Sequence, residues 1–205
     1  SVIPQYGYSN FPNVITSFQF EKMLKRGRIV TNRGDEPKNI VIIHCVGSRN
    51  SKYHEYCSRT CCSTALKYSN QIRSALPLAS IYQLYADMRS YGKGCEELYR
   101  DTSRKNVLFL MFDQHDGLPL IRKGARDEYP NLVVEVDEKL TGEQVVVPAD
   151  LIILMVGMEA HDSAKSVSHM TGLTMCNNEF YIEKHPKLDP VATTTDGVFI
   201  VGSCQ

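Results

Sequence analysis

From residue 39 onward, short β-branched apolar runs alternate with longer helical patterns. Apolar runs bounded by polar or turn residues predict buried strands at Ile40–His44, Ile81–Ala86 and Val107–Phe112. Between them, apolar residues spaced three and four apart predict helices over Cys61–Leu76 and Cys95–Arg104. Strands and helices that alternate in this way favour a parallel sheet with right-handed crossovers.

The pattern changes after residue 131. Leu132–Val136 and Gln144–Val147 flank a polar turn and predict a β-hairpin or meander. Leu151–Val156 is continuously apolar, which is typical of a fully buried strand. A short helix and a last strand are predicted at Ala164–Thr171 and Val198–Val201. Together these segments predict an α/β fold, with a Rossmann-like parallel sheet, crossover helices and a β-meander.

Near the start of the chain, residues 14–24 carry a short helical pattern that Ser17 is expected to cap. The polar stretch Thr31–Lys38 is the best candidate for a domain boundary. A parallel βαβαβ unit followed by a meander is the layout of nucleotide-binding domains in flavoproteins with two dinucleotide domains. Such domains carry G-x-G-x-x-G after the first strand. Here residues 44–50 read H-C-V-G-S-R-N, so that loop is absent.

Charge and cysteine content narrow the class of protein. The 205 residues include 23 basic and 23 acidic side chains, so no nucleic-acid partner is indicated. No apolar run is long enough to predict a transmembrane segment. Seven cysteines favour metal or redox chemistry over a disulfide framework, and we expect a reducing, cytoplasmic location. The chain stops on an apolar stretch, from which we expect a piece of a longer polypeptide.

Four cysteines are predicted to converge at the first strand. Cys45 follows its apolar run, while Cys57, Cys61 and Cys62 lie where the next helix should begin. A helix N-terminus stabilises thiolates, which are the form that binds metals. Adjacent cysteines suit one tetrahedral zinc ion poorly, but in a cubane cluster each binds a different iron. An iron–sulfur cluster is therefore the favoured interpretation, with zinc, a redox dithiol and buried apolar cysteines as alternatives.

Basic residues in the neighbouring loops are candidates for balancing the charge of a cluster or a flavin. The four candidates are Arg49, Arg59, Arg89 and Lys93. All are expected at the carboxyl ends of the strands, where α/β proteins bind ligands, although a solvated-surface role is an equal alternative. His44 is interpreted as a core residue and Asp87 as a loop or cap residue. No residue is assigned a catalytic role.

Several motifs of the chain are distinctive. They are C-V-G-S-R at 45–49, Y-C-S-R-x-C-C at 56–62, D-M-R-S-Y-G-K-G at 87–94, P-N-V-I-T-S at 12–17 and the H-P-K-L stretch that leads to residue 205. Together they resemble the flavin-binding iron–sulfur subunit of heterodisulfide reductase. The resemblance covers nearly the whole chain. It implies a thioredoxin-reductase-type flavoprotein whose central domain replaces the NAD(P)H domain, and a [4Fe–4S] cluster near FAD. By the same resemblance the cluster ligands are Cys45, Cys57, Cys61 and Cys62.

The resemblance also implies a division of the chain. Residues 1–36 are expected on the FAD-domain side, 37–157 form the module with the cysteine motif, and 158–205 return to the FAD domain. Gly202 and Ser203 are the candidate FAD-binding residues in that last segment, with FAD expected in the full-length protein.

The function so implied is electron transfer in an oxidoreductase subunit. In the family this serves reduction of the mixed disulfide of coenzymes M and B in methanogenesis. The implied partners are the other subunits of such a complex and electron carriers such as ferredoxin or hydrogenase. One alternative is the corresponding flavoprotein subunit of a quinone-interacting oxidoreductase from sulfate reduction. The others are a cluster-free scaffold that docks partner subunits and a thiol–disulfide redox domain.

Overall fold

The secondary-structure elements follow the predicted alternation. The protein is represented by a computed structural model that describes residues 6–115, 117–124 and 132–205. The strands are β1 (Val14–Thr16), β2 (Asn39–Val46), β3 (Ser80–Tyr85), β4 (Val107–Met111), β5 (Leu120–Lys123), β6 (Leu132–Glu138), β7 (Glu143–Ala149) and β8 (Leu151–Val156). The helices are α1 (Ser17–Lys25), α2 (Cys61–Ala75), α3 (Cys95–Ser103) and α4 (Ala164–Thr171). The chain divides into two compact units, Ser1–Gly157 and Met158–Gln205.

The first unit is built on a five-stranded parallel sheet in the order β1-β8-β2-β3-β4. β2 lies in the middle and pairs with β8 on one side and β3 on the other. Every residue of β2 from Ile40 to Val46 is buried, as expected for a strand covered on both faces. The predicted parallel sheet with crossover helices is therefore confirmed.

Alternate residues of β2 feed two separate apolar clusters, one on each face of the sheet. Ile40 and Ile42 pack in a cluster with buried residues of α1 and α2, including Phe20. Val41 and Ile43 pack in the other cluster, with buried residues of the antiparallel strands. This alternation follows from the two-residue period of a strand. The result is three layers, with helices on one face and a second sheet on the other.

The amino end of β2 is fixed by a buried carboxylate. Oδ2 of Asp150 accepts hydrogen bonds from the backbone N–H groups of Lys38 and Asn39, each at 2.8 Å. The Asp150 backbone N–H in turn donates to the Asn39 carbonyl at 2.8 Å. Because Asp150 immediately precedes β8, these bonds align the starts of the two central strands.

The second sheet of the first unit is antiparallel, in the order β5-β6-β7. β6 and β7 form the predicted hairpin, and β5 was not predicted. Glu138, at the end of β6, is buried. Its carboxylate accepts hydrogen bonds from the backbone N–H groups of Met111, Leu140 and Thr141. Burial works to raise the pKa of Glu138, but these hydrogen bonds outweigh it and the pKa is lowered.

Two predictions on local structure are wrong. Residues 14–16 form a short strand, and Thr16 rather than Ser17 caps α1. The Thr16 hydroxyl and the Gln19 side chain form a reciprocal capping box, which explains where the helix begins. The predicted strand at Val198–Val201 does not form, because only Phe199 makes an isolated bridge, to Ala192. The other predicted elements are present with ends shifted by one or two residues.

The second unit contains α4, isolated β-bridges and a short 3-10 helix at Gly202–Cys204. α4 ends at Gly172, whose φ of 68° is the left-handed conformation that glycine favours at helix ends. The Tyr181 hydroxyl donates to the Ala164 carbonyl at 3.0 Å and so ties the start of α4 to the following chain. The predicted division into 1–36, 37–157 and 158–205 stays a prediction.

Candidate metal centre

The first candidate ligand lies at an irregularity near the end of β2. The register between β2 and β8 shifts between Ile43 and Val46, and Cys45 within this bulge has a φ of 57°. A non-glycine residue in the left-handed region costs roughly 1–2 kcal/mol, so the conformation requires support from its surroundings. A bulge redirects the side chain it carries. Here it brings the buried Cys45 thiol to the carboxyl edge of the sheet.

The loop after β2 is held by buried polar contacts. The Ser48 backbone N–H donates to the Cys45 carbonyl at 3.1 Å, and the Ser48 and Ser58 hydroxyls are hydrogen-bonded at 3.1 Å. Both serines are buried. Gly157, just after β8, lies so close that a Cβ built there would be 2.3 Å from the Ser48 Oγ. The loop therefore packs directly against the backbone of the neighbouring strand end.

A buried glutamine braces the same loop from the segment after β4. Nε2 of Gln114 donates to the Ser48 carbonyl at 3.1 Å and reaches the Cys45 carbonyl at 3.5 Å. Its exposed fraction is 6%. Gln114 thus connects the bulge at Cys45 to the segment that follows β4.

The other three candidate ligands lie around the start of α2. Cys57 is in the loop, and its Sγ accepts a hydrogen bond from the Arg59 backbone N–H at 3.3 Å. The Cys61 thiol donates weakly to the Val156 carbonyl at 3.9 Å, at the end of β8. The Cys62 thiol is 3.8 Å from its acceptor, the Asp87 carbonyl, which follows β3. These contacts place the thiols at the same edge of the sheet as Cys45.

The N-terminus of α2 favours negative charge. Thr60 at the N-cap makes no side-chain hydrogen bond to the helix, and the first turn contains no acidic residue. The free N–H groups of the first turn and the helix dipole therefore remain available to stabilise thiolates at Cys61 and Cys62.

The four thiols are close enough to influence one another. The pKa of Cys45 is raised to about 12, mainly by burial and then by charge on Cys62, with smaller contributions from the charges on Cys61 and Cys57. Burial and then charge on Cys62 and Cys57 raise the pKa of Cys61 to about 11. The pKa of Cys62 is also raised, mainly by burial. Free thiols here resist ionisation, whereas a metal cation offsets that cost because it binds the thiolate directly.

A [4Fe–4S] cluster and a single ion place different demands on the donor set. Within residues 6–115, 117–124 and 132–205, no three His, Cys, Asp or Glu side chains form a ready site for a metal ion. A zinc ion needs four donors at about 2.3 Å or less. In a [4Fe–4S] cluster each cysteine binds a different iron, so the four sulfurs can stay farther apart. The donor set here consists of four thiols, two of them buried and two half-buried, which is the ligand type that such clusters use.

Two of the four predicted basic residues lie beside the thiols. Arg49 lowers the pKa of Cys45 and of Cys62 through its charge, against the larger effect of burial. The Arg89 guanidinium interacts with Cys57. Asp87 joins the two arginines, with Oδ2 at 3.5 Å from Arg49 Nη1 and 3.2 Å from Arg89 Nε.

The remaining predicted residues show less involvement. The Arg59 side chain is exposed, and its contact with Cys57 runs through the backbone. Lys93 is exposed. Gly202, with a φ of 77°, and Ser203 are exposed residues of the 3-10 helix in the second unit. Their predicted FAD contact stays a prediction.

His44 is a core residue, as predicted. It is fully buried, and its Nε2 is 3.0 Å from the Gln83 Oε1. Gln83 Nε2 donates onward to the Ser69 hydroxyl at 2.7 Å. Burial lowers the pKa of His44 to about 4, so the ring is neutral next to Cys45.

Sequence reasoning missed the residues that hold the thiols in place. Gln114 and Gly157 carry no thiol, charge or recognisable motif, and Ser48 and Ser58 lie within the cysteine motifs but were given no role. The one available signal was position, because each follows a strand or lies between the cysteines. Asp87 was interpreted as a loop or cap residue, and the structure shows it also bridging two arginines.

The fold resembles that of a known flavoprotein. The chain is similar in structure to the HOCl-induced flavoprotein disulfide reductase RclA from Escherichia coli, with a TM-score of 0.50 and 12% sequence identity. The match covers 100% of this chain and 37% of that protein. The two proteins share this fold, and the predicted α/β fold class is confirmed. No profile of a known family matches the chain.

Individual sequences give a closer relationship. The chain is 37% identical over 209 residues to a CoB–CoM heterodisulfide reductase iron–sulfur subunit of Methanocaldococcus jannaschii. It is also 37% identical over 213 residues to the corresponding subunit of the H(2)/formate:CoB-CoM heterodisulfide,ferredoxin reductase of Methanococcus maripaludis. Each match includes 98% of this chain and 31% of the relative, so the chain spans about a third of the length of these relatives. The chain therefore matches part of these CoB–CoM heterodisulfide reductase iron–sulfur subunits over nearly its whole length, and the predicted resemblance is confirmed.

The helices are short compared with the thickness of a bilayer. Among residues 6–115, 117–124 and 132–205, no helix has the length and apolar character needed to cross one.

Proposed function

We propose that this chain is the cluster-binding part of an electron-transferring subunit of the heterodisulfide reductase type. Its ligands for a [4Fe–4S] cluster are Cys45, Cys57, Cys61 and Cys62. When bound, such a cluster accepts and donates single electrons. The names of the relatives favour this type over the quinone-interacting oxidoreductase of sulfate reduction.

The observation that carries the proposal is the gathering of four thiols at one edge of the sheet. β2, β3 and β8 each contribute to holding one of them, through the bulge at Cys45 and the carbonyls that accept from Cys61 and Cys62. The raised pKa values of Cys45 and Cys61 disfavour thiol–disulfide exchange, because exchange needs a free thiolate.

The protein around the thiols has two tasks in this proposal. The serine pair and Gln114 fix the ligand loop, so that little reorganisation accompanies a change of charge. Arg49 and Arg89 supply positive charge beside the thiolates. Gly202 and Ser203 would hold part of an FAD in the full-length protein, and bound FAD would supply the two-electron chemistry. The other subunits of the complex, and carriers such as ferredoxin or hydrogenase, are the proposed partners.

The test is to measure iron and acid-labile sulfide after anaerobic reconstitution. We expect about four of each per chain, and a sharp fall in Cys61→Ala. Cys176→Ala is the matched control, because Cys176 is a half-buried cysteine in the second unit. It should bind as much iron as the parent chain.

Other results would point to the other hypotheses. One tightly bound zinc ion per chain would indicate a structural zinc site instead of an iron–sulfur cluster. Reversible loss of two thiols on oxidation, without iron binding, would indicate a thiol–disulfide redox domain. No metal and no reversible thiol oxidation would leave a scaffold that docks partner subunits.

A further inference from the structure

Asp87 is placed to control the positive charge beside the cysteines. It follows β3, whereas Arg49 follows β2, so the ion pair between them crosses two neighbouring strand ends. The same carboxylate oxygen also lies 3.2 Å from Nε of Arg89. The Asp87 carboxylate therefore holds two guanidinium groups. The backbone carbonyl of the same residue accepts a hydrogen bond from the Cys62 thiol.

The two arginines face different members of the cysteine set. The charge of Arg49 acts on Cys45 and Cys62, and that of Arg89 acts on Cys57. Nη1 of Arg49 is buried and, beyond its ion pair with Asp87, makes no hydrogen bond to any described residue, so its donor capacity is unused. A guanidinium held in this way is placed to donate to a thiolate or sulfide sulfur.

We propose that Asp87 is a positioning residue that holds Arg49 and Arg89 against the cysteine set and thereby raises the reduction potential of the group bound there. The inference rests on the proposed cluster. Reduction adds negative charge, which the two guanidinium groups stabilise.

Two opposing charge effects decide the sign. The Arg49 side chain is 24% exposed, whereas that of Asp87 is 48% exposed, so water screens the carboxylate more than this guanidinium. The charge of Arg49 lowers the pKa of Cys45, while at Cys62 the charge of Asp87 raises the pKa and acts more strongly than that of Arg49. The proposal requires that the loss of two held guanidinium groups outweighs the loss of this one negative charge, so that removal of Asp87 lowers the potential.

The experiment is a reductive titration of the reconstituted chain, followed by electron paramagnetic resonance, with iron counted in each sample. We expect Asp87→Asn to lower the midpoint potential and Asp87→Glu to restore most of it. Arg49→Gln should also lower it, but should change it much less when Asp87→Asn is already present, because the arginine is then no longer held. Additive shifts would show two independent charges and would overturn a positioning role.

Arg104→Gln is the control for Arg49→Gln, because it removes the same positive charge at an exposed site. Arg104 follows α3 and precedes β4, so it lies at the opposite edge of the sheet from the thiols. It should leave the potential unchanged. A rise in potential, or no change, in Asp87→Asn with full iron content would overturn the inference and leave the proposed function intact. Absence of iron in the parent chain would refute the proposed function itself. If Asp87→Asn fails to bind iron, the potentials of Arg49→Gln and of the double variant Arg49→Gln/Arg89→Gln test the inference instead. Unchanged potentials in these two variants would also overturn it.

Discussion

Replacement of Gly157 by alanine tests how the ligand loop is held. The new Cβ would lie 2.3 Å from the Ser48 Oγ, where ordinary contact begins at 3.4 Å. Gly157 is not among the glycines with positive φ, so alanine meets no backbone strain there. The Ser48 hydroxyl must therefore turn away and give up its buried hydrogen bond to Ser58.

The magnitude follows from two opposing effects. Loss of a buried hydrogen bond costs about 1–3 kcal/mol. A glycine-to-alanine change restricts the unfolded chain and returns about 0.4–1 kcal/mol. From the middle of the two ranges, we expect Gly157→Ala to lower the free energy of unfolding by about 1.3 kcal/mol.

The assay is urea unfolding of the metal-free chain, followed by far-ultraviolet circular dichroism because the sequence contains no tryptophan. Ser48→Ala alone should cost about 1 kcal/mol. The double variant Ser48→Ala/Gly157→Ala should be no less stable than Ser48→Ala, because the space left by the hydroxyl accepts the new methyl group. A single Gly157→Ala variant as stable as the parent would refute this reasoning. Two single effects that simply add would refute it equally.

Two buried carboxylates give further predictions. Folding lowers the pKa of Glu138, so the ionised side chain contributes to stability. This contribution is fully present above the pKa of an unfolded glutamate, about 4.3. It is lost as the pH falls through the lower pKa of the folded state. Glu138→Gln should remove this part of the pH dependence in urea unfolding between neutral and acid pH; an unchanged profile would count against the assignment. Asp150→Ala leaves two backbone N–H groups at the start of β2 without their acceptor and should cost about 1–3 kcal/mol. The exposed control Asp162→Ala should be nearly neutral, and equal losses in both variants would contradict the proposed role of Asp150.

The architecture was predictable because burial on both faces leaves a strong signal in sequence. β2 and β8 are short continuous apolar runs, and the helical patterns between strands have the correct period. The convergence of the cysteines followed from the same logic, since the carboxyl ends of parallel strands meet at one edge. An apolar pattern was not sufficient at residues 198–201, where the chain finds no neighbouring strand and makes one bridge only.

The details of the site depended on contacts between distant segments. The bulge at Cys45 arises from the register between β2 and β8, which no local pattern encodes. Gln114 and Gly157 matter because of what they meet in space, and their residue types are common elsewhere in loops. The ion pairs of Asp87 connect two loops whose relative placement depends on the whole parallel sheet.

The pairing of β2 with β8 also constrains the order of events during synthesis. Asn39 and Asp150, which align these strands, are 111 residues apart in the chain. All four cysteines therefore leave the ribosome well before the strand that shapes the bulge and accepts from Cys61. Contacts of such long sequence separation form late. In the nascent chain the thiols therefore precede β8, and their arrangement at one edge of the sheet is completed only once β8 has paired with β2.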